Sequence, residues 1–265
     1  IDKYILDTIT SEKYVEKKYP QYFSPEIKQL ENEDWFPKKD PFKMLENYHK
    51  YEWLDDINKE LPNDFYENRK KGENDNFICQ LIQKDSIDEF IVYMNRNNIS
   101  VNLIINESIY ETNSFLLKTK NITLFEYAAF NGSIQIFNYL RFSNAKINPI
   151  IWICAIHGKN AEIIHLIEEY KIKPNQSFDN CFMESVKCHH NDIANYIQEL
   201  YLQKTLNSEK NVILFLKNYN FAFLKNDFIY ENAFEILCKY DYCSFVDIIL
   251  KETKIDIKKI QNFII

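Results

Sequence analysis

One stretch of the chain, TLFEYAAFNGSIQIFNYLRFSNAKIN from Thr123 to Asn148, constrains the fold more than any other. Its pattern predicts a short apolar helix, a turn at Gly132, a second helix with apolar residues at helical spacing, and a final β-turn. A unit of this kind has two apolar faces and cannot bury both of them alone. It must therefore stack against similar units, and the flank that stays uncovered is available to another protein.

Composition favours an all-α protein. The 265 residues are 46% hydrophobic, which is enough to bury a large core. The chain has three glycines and seven prolines, and this scarcity disfavours all-β architectures and glycine-rich phosphate-binding loops. We therefore expect an all-α fold that uses no cofactor.

Charge and cysteine usage exclude several classes of partner. The net charge is -7 with both signs intermingled, so there is no basic stripe for nucleic acid and no polybasic patch for a membrane surface. No apolar run reaches the ~18 residues of a membrane-spanning helix. The six cysteines lack the spacing of a disulfide framework, which favours reduced thiols. These features predict a cytoplasmic protein that binds neither nucleic acid nor membranes.

The N-terminal region has the pattern of a helical leader. Ser24-Pro25 and Asp40-Pro41 each place a capping residue before a proline, as at the start of a helix. A charged connector, KKGEND at 70–75, follows and marks a boundary. We therefore predict a helical leader region over 1–72 and a repeat array over 73–265.

The repeat array is predicted from the turns between paired helices, where glycine or a substitute must tolerate a positive φ. Five turns are expected, at Asp85, Gly132, Gly158, near His189 and near Asp241. They are separated by 26 to 52 residues, against about 33 in a regular array. The predicted units span about 73–102, 121–148, 149–173, 178–203 and 229–257, with insertions at 103–120 and 204–228. The second insertion contains NVILFLKNYNFAFL, which is too apolar for a free loop, so we expect it to pack as a degenerate helical unit.

Four strings carry a resemblance to a known family: RKKGENDNFICQLIQKDSIDEFIVYMN, SIYETNSFLLK, TLFEYAAFNGSIQIFNYL and KCHHNDIANYIQ. They resemble an ankyrin-like repeat family of unassigned function that is greatly expanded in some protists. The resemblance covers about 72–265 and implies an irregular ankyrin-repeat solenoid behind an N-terminal helical leader. Because family members often continue into more regular ankyrin repeats, it also implies that Ile265 is a point of truncation. The chain departs from the general pattern at 123–126, where Thr-Leu-Phe-Glu replaces Thr-Pro-Leu-His and removes the usual Thr–His hydrogen bond.

The resemblance also implies a binding groove. In an ankyrin unit the two residues between the buried Ala-Ala pair and the turn face the concave side. Alignment of the five units selects Gln83, Lys84, Phe130, Asn131, Ile156, His157, Lys187, Cys188, Lys239 and Tyr240. We expect Phe130, Ile156 and Tyr240 to be binding anchors, because large apolar groups in a groove are typical hot spots. The alternative is that an insertion folds over the groove and buries these three residues as core.

Two other chemistries are suggested by residue types alone. Ligands of zinc are offered by Cys181, Cys188, His189 and His190, with Cys154 and His157 one unit earlier. Their spacing matches no common zinc finger. A nucleophilic Cys188 would need activation by a histidine, but the adjacent His189 points elsewhere on a helix end. No Gly-x-Ser-x-Gly, Walker or Rossmann signature occurs, so we expect neither a metal site nor enzymatic activity.

The function predicted from the sequence is that of a protein–protein interaction module. It binds a macromolecular partner through the concave face and the loops of the repeat stack. The competing interpretation is a structural subunit that is permanently built into a large assembly. An adaptor is expected to be stable and monomeric alone, whereas an assembly subunit exposes apolar surface and depends on its neighbours.

Overall fold

A computed structural model describes residues 21–26, 60–202, 209–224, 237–238 and 241–252. Across these residues the chain is mostly helical, which confirms the all-α prediction. None of the described helices has both the length and the apolar character needed to cross a membrane. In chain order they are α1 (Phe65–Lys71), α2 (Phe77–Gln83), α3 (Ile87–Arg96), α4 (Ser114–Lys118), α5 (Leu124–Asn131), α6 (Ile134–Phe142), α7 (Ile151–Gly158), α8 (Ala161–Glu169), α9 (Phe178–Lys187), α10 (Asn191–Ile197), α11 (Glu209–Lys217) and α12 (Cys243–Glu252).

The chain divides into two compact units, one built from 1–81 and 104–122, the other from 82–103 and 123–265. Gly72, the predicted boundary, lies within the first unit. Most of the predicted leader falls outside the described residues.

Contacts to α1 organise the described part of the first unit. The Arg69 guanidinium forms a bidentate pair with the Glu26 carboxylate at 2.6 and 3.0 Å and lies over the ring of Tyr22. The carbonyl of Gly72, at the end of α1, accepts hydrogen bonds from the Thr112 backbone N–H at 3.1 Å and from the Thr112 hydroxyl at 2.8 Å. The Arg69–Glu26 pair is bidentate and charge-assisted, which makes it the stronger of these polar contacts.

The second unit is built from helices that pack in pairs and in chain order. Helix α5 packs against α6, α7 against α8, and α9 against α10. The first helices also contact one another in sequence, α5 with α7, α7 with α9 and α9 with α11, while α6 contacts α3 and α8. Apolar residues of the second helices, among them Phe137, Leu140, Ile163 and Ile167, are buried between these layers. Each contributes about 1.5–3 kcal/mol when fully buried.

In the second unit, six turns that follow the first helix of a pair each hold one residue at positive φ. These turn residues are Asp85, Gly132, Lys159, His189, Tyr219 and Asp241, with φ between 49° and 69°. At Gly132, His189, Tyr219 and Asp241 the turn shows both backbone hydrogen bonds of a Schellman motif. The predictions at Asp85, Gly132, His189 and Asp241 are therefore confirmed.

The prediction of a turn at Gly158 is wrong by one residue. Lys159 takes the left-handed conformation, with φ 51°, while Gly158 is the last residue of α7. Gly158 is needed for space instead. A Cβ atom there would lie 2.1 Å from the Ala129 carbonyl oxygen and 2.7 Å from the Gly132 nitrogen, so α5 and α7 approach each other through bare backbone.

The described part of the second predicted insertion forms a helix and a turn like the others. Val212, Phe215 and Leu216 of α11 are buried, and Tyr219 occupies the turn with φ 54°. A short 3₁₀ segment, Phe221–Phe223, follows. The apolar character of NVILFLKNYNFAFL thus reflects packing in a helical unit, as the sequence predicts.

We call a first helix, its turn and the element that follows the turn a hairpin. A repeated side-chain hydrogen bond, here called the turn brace, joins each hairpin to the one before it. Its donor is the residue directly after the turn residue, and its acceptor is a carbonyl near the preceding turn. The pairs are Ser133 to Ile82 at 2.6 Å, Asn160 to Gly132 at 3.0 Å, His190 to Ile156 at 2.7 Å, Asn220 to Val186 at 2.9 Å, and Tyr242 to Leu216 at 2.7 Å. The brace helps to fix the register of each hairpin on the one before it, because one hydrogen bond within a protein contributes about 0.5–1.5 kcal/mol.

The residues in place of Thr-Pro-Leu-His begin α5 by a different device. The Thr123 hydroxyl accepts from the Glu126 N–H, and the Glu126 carboxylate accepts from the Thr123 N–H at 2.8 Å, which is a capping box. Glu126 is 1% exposed, and its Oε1 atom has no hydrogen-bond partner among the described residues. Burial raises the pKa of this carboxyl, against the opposing effect of the bonds from Thr123.

Candidate functional site

Side chains near the ends of the first helices contact one another from one helix pair to the next. Gln83 Nε2 donates to the Tyr127 hydroxyl at 2.8 Å. The rings of Tyr127 and Phe130 stack with centroids 6.2 Å apart, and those of Phe130 and His157 stack at 5.0 Å. Offset-stacked rings at these separations attract each other. We call Gln83, Tyr127, Phe130 and His157 the aromatic row.

The aromatic row ends at three polar side chains, here called the polar triad: His157, Glu184 and Cys188. Glu184 and Cys188 lie four residues apart at the end of α9, so both reach the same face, and His157 comes from α7. His157 Nε2 is 3.2 Å from Glu184 Oε1, and His157 Nδ1 is 3.5 Å from Cys188 Sγ. The Nε2–H tautomer satisfies both neighbours, since it donates to the carboxylate and accepts from the thiol.

The electrostatics of the polar triad keep a carboxylate beside a neutral thiol. The hydrogen bond from His157, with the ion pair to Lys187 at 2.9 Å, lowers the pKa of Glu184 to about 2 although burial opposes this. Burial, and then the Glu184 charge, raise the pKa of the Cys188 thiol to about 11. At neutral pH Glu184 is therefore a carboxylate, and the sulfur of Cys188 is protonated.

The order of Cys188, His157 and Glu184 resembles that of a nucleophile, its base and an orienting group. Its surroundings do not suit a nucleophile. Reactive cysteines lie at helix N-termini with a lowered pKa, whereas Cys188 is the C-cap of α9, where the peptide dipoles place negative charge. The sequence analysis considered His189 as the base for Cys188, but His189 is an exposed turn residue, and the histidine beside Cys188 is His157.

The structure brings together five of the ten residues predicted to bind a partner: Gln83, Phe130, His157, Lys187 and Cys188. The other described residues lie beside them or beneath them. Lys84 is exposed next to Gln83, and Asn131 is half-buried with its side-chain amide donating to the Tyr127 carbonyl at 2.8 Å. Lys239 and Tyr240 lie outside the described residues.

The prediction that Ile156 is an exposed anchor is wrong. Its side chain is 0% exposed. The cause is the turn at Lys159: with the turn one residue later, Ile156 aligns with the buried Ala129 and Val186, and His157 takes the position that Phe130 has in its own hairpin. Of the three proposed anchors, Phe130 is the one that the structure places half-buried in the row.

The cysteines and histidines weighed as zinc ligands separate into different environments. Cys154 and Cys181 are fully buried in the core. His190 makes the turn brace to Ile156, so its pKa is lowered by burial while that bond opposes the shift. Only His157 and Cys188 of that set meet among the described residues, and they meet at Glu184, which the sequence argument left out. The four-residue spacing of Glu184 and Cys188 is the one local signal that points to this pair.

The chain has no significant match to any protein-family model, to any curated protein or to any solved structure. The likeness to ankyrin-like repeats therefore stays a prediction from the quoted strings. What the protein does is argued from the geometry of the aromatic row and the polar triad.

Proposed function

We propose that this chain is an irregular ankyrin-like solenoid that binds another protein through the concave face and loops of its helix stack. Three features support the solenoid. The first helices pack in chain order, six turns that follow a first helix each hold one residue at positive φ, and the turn brace recurs from hairpin to hairpin. Arrays of this kind are stabilised by contacts between neighbouring repeats and offer an extended binding surface.

The observation that carries the proposal is a row of contacting side chains from three successive first helices, in which Gln83 is joined to Phe130 through the buried ring of Tyr127. Phe130 and His157 are half-buried and held in place by stacking, so little conformational entropy is lost when a partner covers them. Exposed cations, Lys84 and Lys187, lie beside the aromatic row. Aromatic anchors with a polar rim are the usual arrangement of a protein interface. On this proposal the protein is no enzyme, needs no cofactor for partner binding and works in the cytoplasm.

A second candidate function is that of a permanent subunit in a large assembly. It is favoured by large apolar side chains exposed on and just after the second helices. Val92 is 55% exposed, Phe142 74% and Tyr170 50%. Exposed apolar side chains that form a contiguous patch mark interaction sites, and an interface on this side would engage a different surface from the aromatic row.

Site-specific crosslinking separates the two functions. A photoreactive residue is placed at Lys84 or at Lys187, and in matched variants at Val92 or at Phe142, and each protein is expressed in the native cell. We expect discrete protein adducts from the first two positions, and we expect their yield to fall when Phe130→Ala is added. Adducts confined to Val92 and Phe142, unaffected by Phe130→Ala, would contradict the adaptor function and support the assembly subunit.

A binding measurement with the captured partner completes the test. Phe130→Ala is expected to weaken binding by about 30-fold, the loss of one hot spot. Phe142→Ala is the matched control, because this phenylalanine is mostly exposed and lies outside the row. Equal losses for both variants, or a loss of binding explained by unfolding of Phe130→Ala in circular dichroism, would contradict the proposed surface.

A further inference from the structure

Three metal-ligating side chains of different chemistry meet at one point in the second unit. One ligand atom each from His157, Glu184 and Cys188 lies within 4.8 Å of the other two. Imidazole nitrogen, carboxylate oxygen and thiolate sulfur are the three donor types found in zinc sites. No other such group of three occurs among the described residues.

Two of the three separations between donor atoms are close to those around a tetrahedral ion. His157 Nε2 is 3.2 Å from Glu184 Oε1 and 3.9 Å from Cys188 Sγ. Donors bound to Zn²⁺ at about 2.0 to 2.3 Å are about 3.3 to 3.7 Å apart in a tetrahedron. The Cys188 sulfur lies nearer Nδ1, at 3.5 Å, than Nε2, so an ion that takes the place of the proton on Nε2 requires the Cys188 side chain to rotate toward Glu184.

The surroundings orient the donors and favour a cation. Phe130 stacks on the His157 ring and fixes its plane, and Glu184 and Cys188 share one face at the end of α9. The C-terminal end of that helix adds the negative end of its dipole. Lys187 holds Glu184 Oε2 at 2.9 Å, which leaves Oε1 toward the histidine, and its half-exposed side chain can turn to solvent.

From this geometry we propose that His157, Glu184 and Cys188 form a Zn²⁺ site that links α7 to α9. The three protein ligands leave the fourth position of the tetrahedron to water or to an outside donor. Binding releases the thiol proton to solvent, and the imidazole proton leaves Nε2 while a proton is taken up at Nδ1, so the ring stays neutral. The site is independent of the proposed partner-binding function, since it requires only residues of this chain.

Cobalt binding tests the site directly, because a thiolate-bound Co²⁺ gives a charge-transfer absorption band. The reduced, metal-stripped protein is titrated with Co²⁺ and then with Zn²⁺. We expect one Co²⁺ per chain with a thiolate band, displacement of that band by one equivalent of Zn²⁺, and a higher melting temperature in excess Zn²⁺. A folded protein that shows neither the band nor the thermal shift would overturn the proposal.

Variants assign the ligands. Cys188→Ser is expected to lose the thiolate band, and it preserves the size of the side chain and its bond to His157. Glu184→Gln is expected to weaken Co²⁺ binding by at least about 10-fold to 100-fold, the loss seen even for residues behind the ligands. Cys243→Ser and His190→Asn are matched controls outside the polar triad and are expected to retain the band. A band that persists in Cys188→Ser, or that disappears in Cys243→Ser, would overturn the assignment.

Discussion

The contact between α5 and α7 differs in kind from the contact between α7 and α9. At the first contact the helices meet through bare backbone, because Gly158 leaves no room for a side chain beside Ala129, and the rings of Phe130 and His157 stack next to this point. The second is made of polar side chains, with His157 between the carboxylate of Glu184 and the thiol of Cys188. Both contacts occur between first helices of successive hairpins, so the difference is one of side chains and not of topology.

The carboxyl groups near the two contacts have pKa values that are shifted in opposite directions. Glu126 of α5 is buried with one oxygen unpartnered, and its pKa is raised. Glu184 of α9 has His157 and Lys187 as partners, and its pKa is lowered. The first contact fixes the geometry of the stack, whereas the second provides ionisable groups at the same place in the fold. One interface between neighbouring helix pairs can therefore set how closely the helices pack, while the next one brings ionisable side chains together.

We call the α5–α7 contact at Gly158 the glycine contact and the α7–α9 contact at the polar triad the triad contact. The largest effect on stability is expected from a side chain added at the glycine contact. Gly158→Ala places a Cβ atom 2.1 Å from the Ala129 carbonyl, and backbone cannot move aside as a flexible side chain does. We expect the free energy of unfolding to fall by about 3 kcal/mol, the upper range for overpacking. Urea unfolding followed by circular dichroism measures this loss.

Gly72→Ala is the matched control for that substitution. Gly72 has a positive φ of 69°, and its added Cβ meets the Thr112 hydroxyl, which can rotate away but then loses its bond to the Gly72 carbonyl. The cost is about 2 kcal/mol, from the strain of a left-handed alanine and the loss of this bond. A loss for Gly158→Ala no greater than for Gly72→Ala would mean that the α5–α7 contact is looser than the structure indicates.

Sequence reasoning identified the helices and most turns because their signals are local. Asp85, Gly132 and His189 are of residue types that adopt a positive φ more readily than most. Lysine has no such preference, so the neighbouring Gly158 attracted the assignment that belongs to Lys159. The actual role of Gly158 is set by the helix packed against it, which the local sequence does not contain.

The polar triad shows where local reasoning fails. His157 and Cys188 belong to different hairpins, and nothing in their spacing predicts that a ring nitrogen and a sulfur atom lie 3.5 Å apart. The one-residue shift at Lys159 explains why Ile156 is buried and not exposed. The partner of Cys188 was missed for another reason: only His189, next to it in the sequence, was considered as its base, and that residue lies in the exposed turn.

The turn braces of the two contacts offer the next effect in size. The Asn160 side chain makes two kinds of hydrogen bond at the glycine contact: its amide N–H donates to the Gly132 carbonyl, and its oxygen accepts from the first turn of α8. The His190 side chain makes one brace hydrogen bond at the triad contact, to the Ile156 carbonyl. We expect Asn160→Ala to cost about 2 kcal/mol and His190→Ala about 1 kcal/mol.

Thermal unfolding compares these variants with His190→Asn, which installs the residue type that makes the brace at Asn160 and Asn220. His190→Asn is expected to recover most of the stability lost in His190→Ala. Failure of this rescue, or equal losses for Asn160→Ala and His190→Ala, would show that the brace is not an interchangeable element of the stack.

Acid sensitivity at the triad contact is a smaller effect that tests its ion pairs. The folded-state pKa of Glu184 is about 2 against an ordinary value of 4.5, so its contribution to stability is complete above 4.5 and disappears as the pH falls toward 2. Glu184→Gln is expected to lose about 1 kcal/mol at pH 7, since it removes charge-assisted hydrogen bonds. It is also expected to flatten the stability profile in that acid window.

The measurement is a series of urea unfolding curves between pH 2 and 7 in the presence of a chelator, so that bound metal plays no part. Asp192→Asn, at an exposed acid in the first turn of α10, is the matched control and is expected to retain the acid dependence. A Glu184→Gln profile parallel to that of the unmodified protein would contradict the lowered pKa.

The smallest effect is expected at the glycine contact, and its sign is the reverse. Because burial raises the pKa of Glu126, the folded state is most favoured when this carboxyl is protonated, and stability falls as the pH rises from 4.5 through the folded-state pKa. Glu126→Gln retains an acceptor for the Thr123 N–H of the capping box and removes the buried charge. We expect it to raise stability at pH 7 by at most about 1 kcal/mol and to leave stability at pH 4 unchanged, since there the unmodified carboxyl is already protonated. Melting temperatures of Glu126→Gln and of the unmodified protein at pH 4 and pH 7 test this expectation. A lower melting temperature of Glu126→Gln at pH 7 would mean that the folded protein stabilises the Glu126 carboxylate. The two contacts would then not differ in the direction of their pKa shifts.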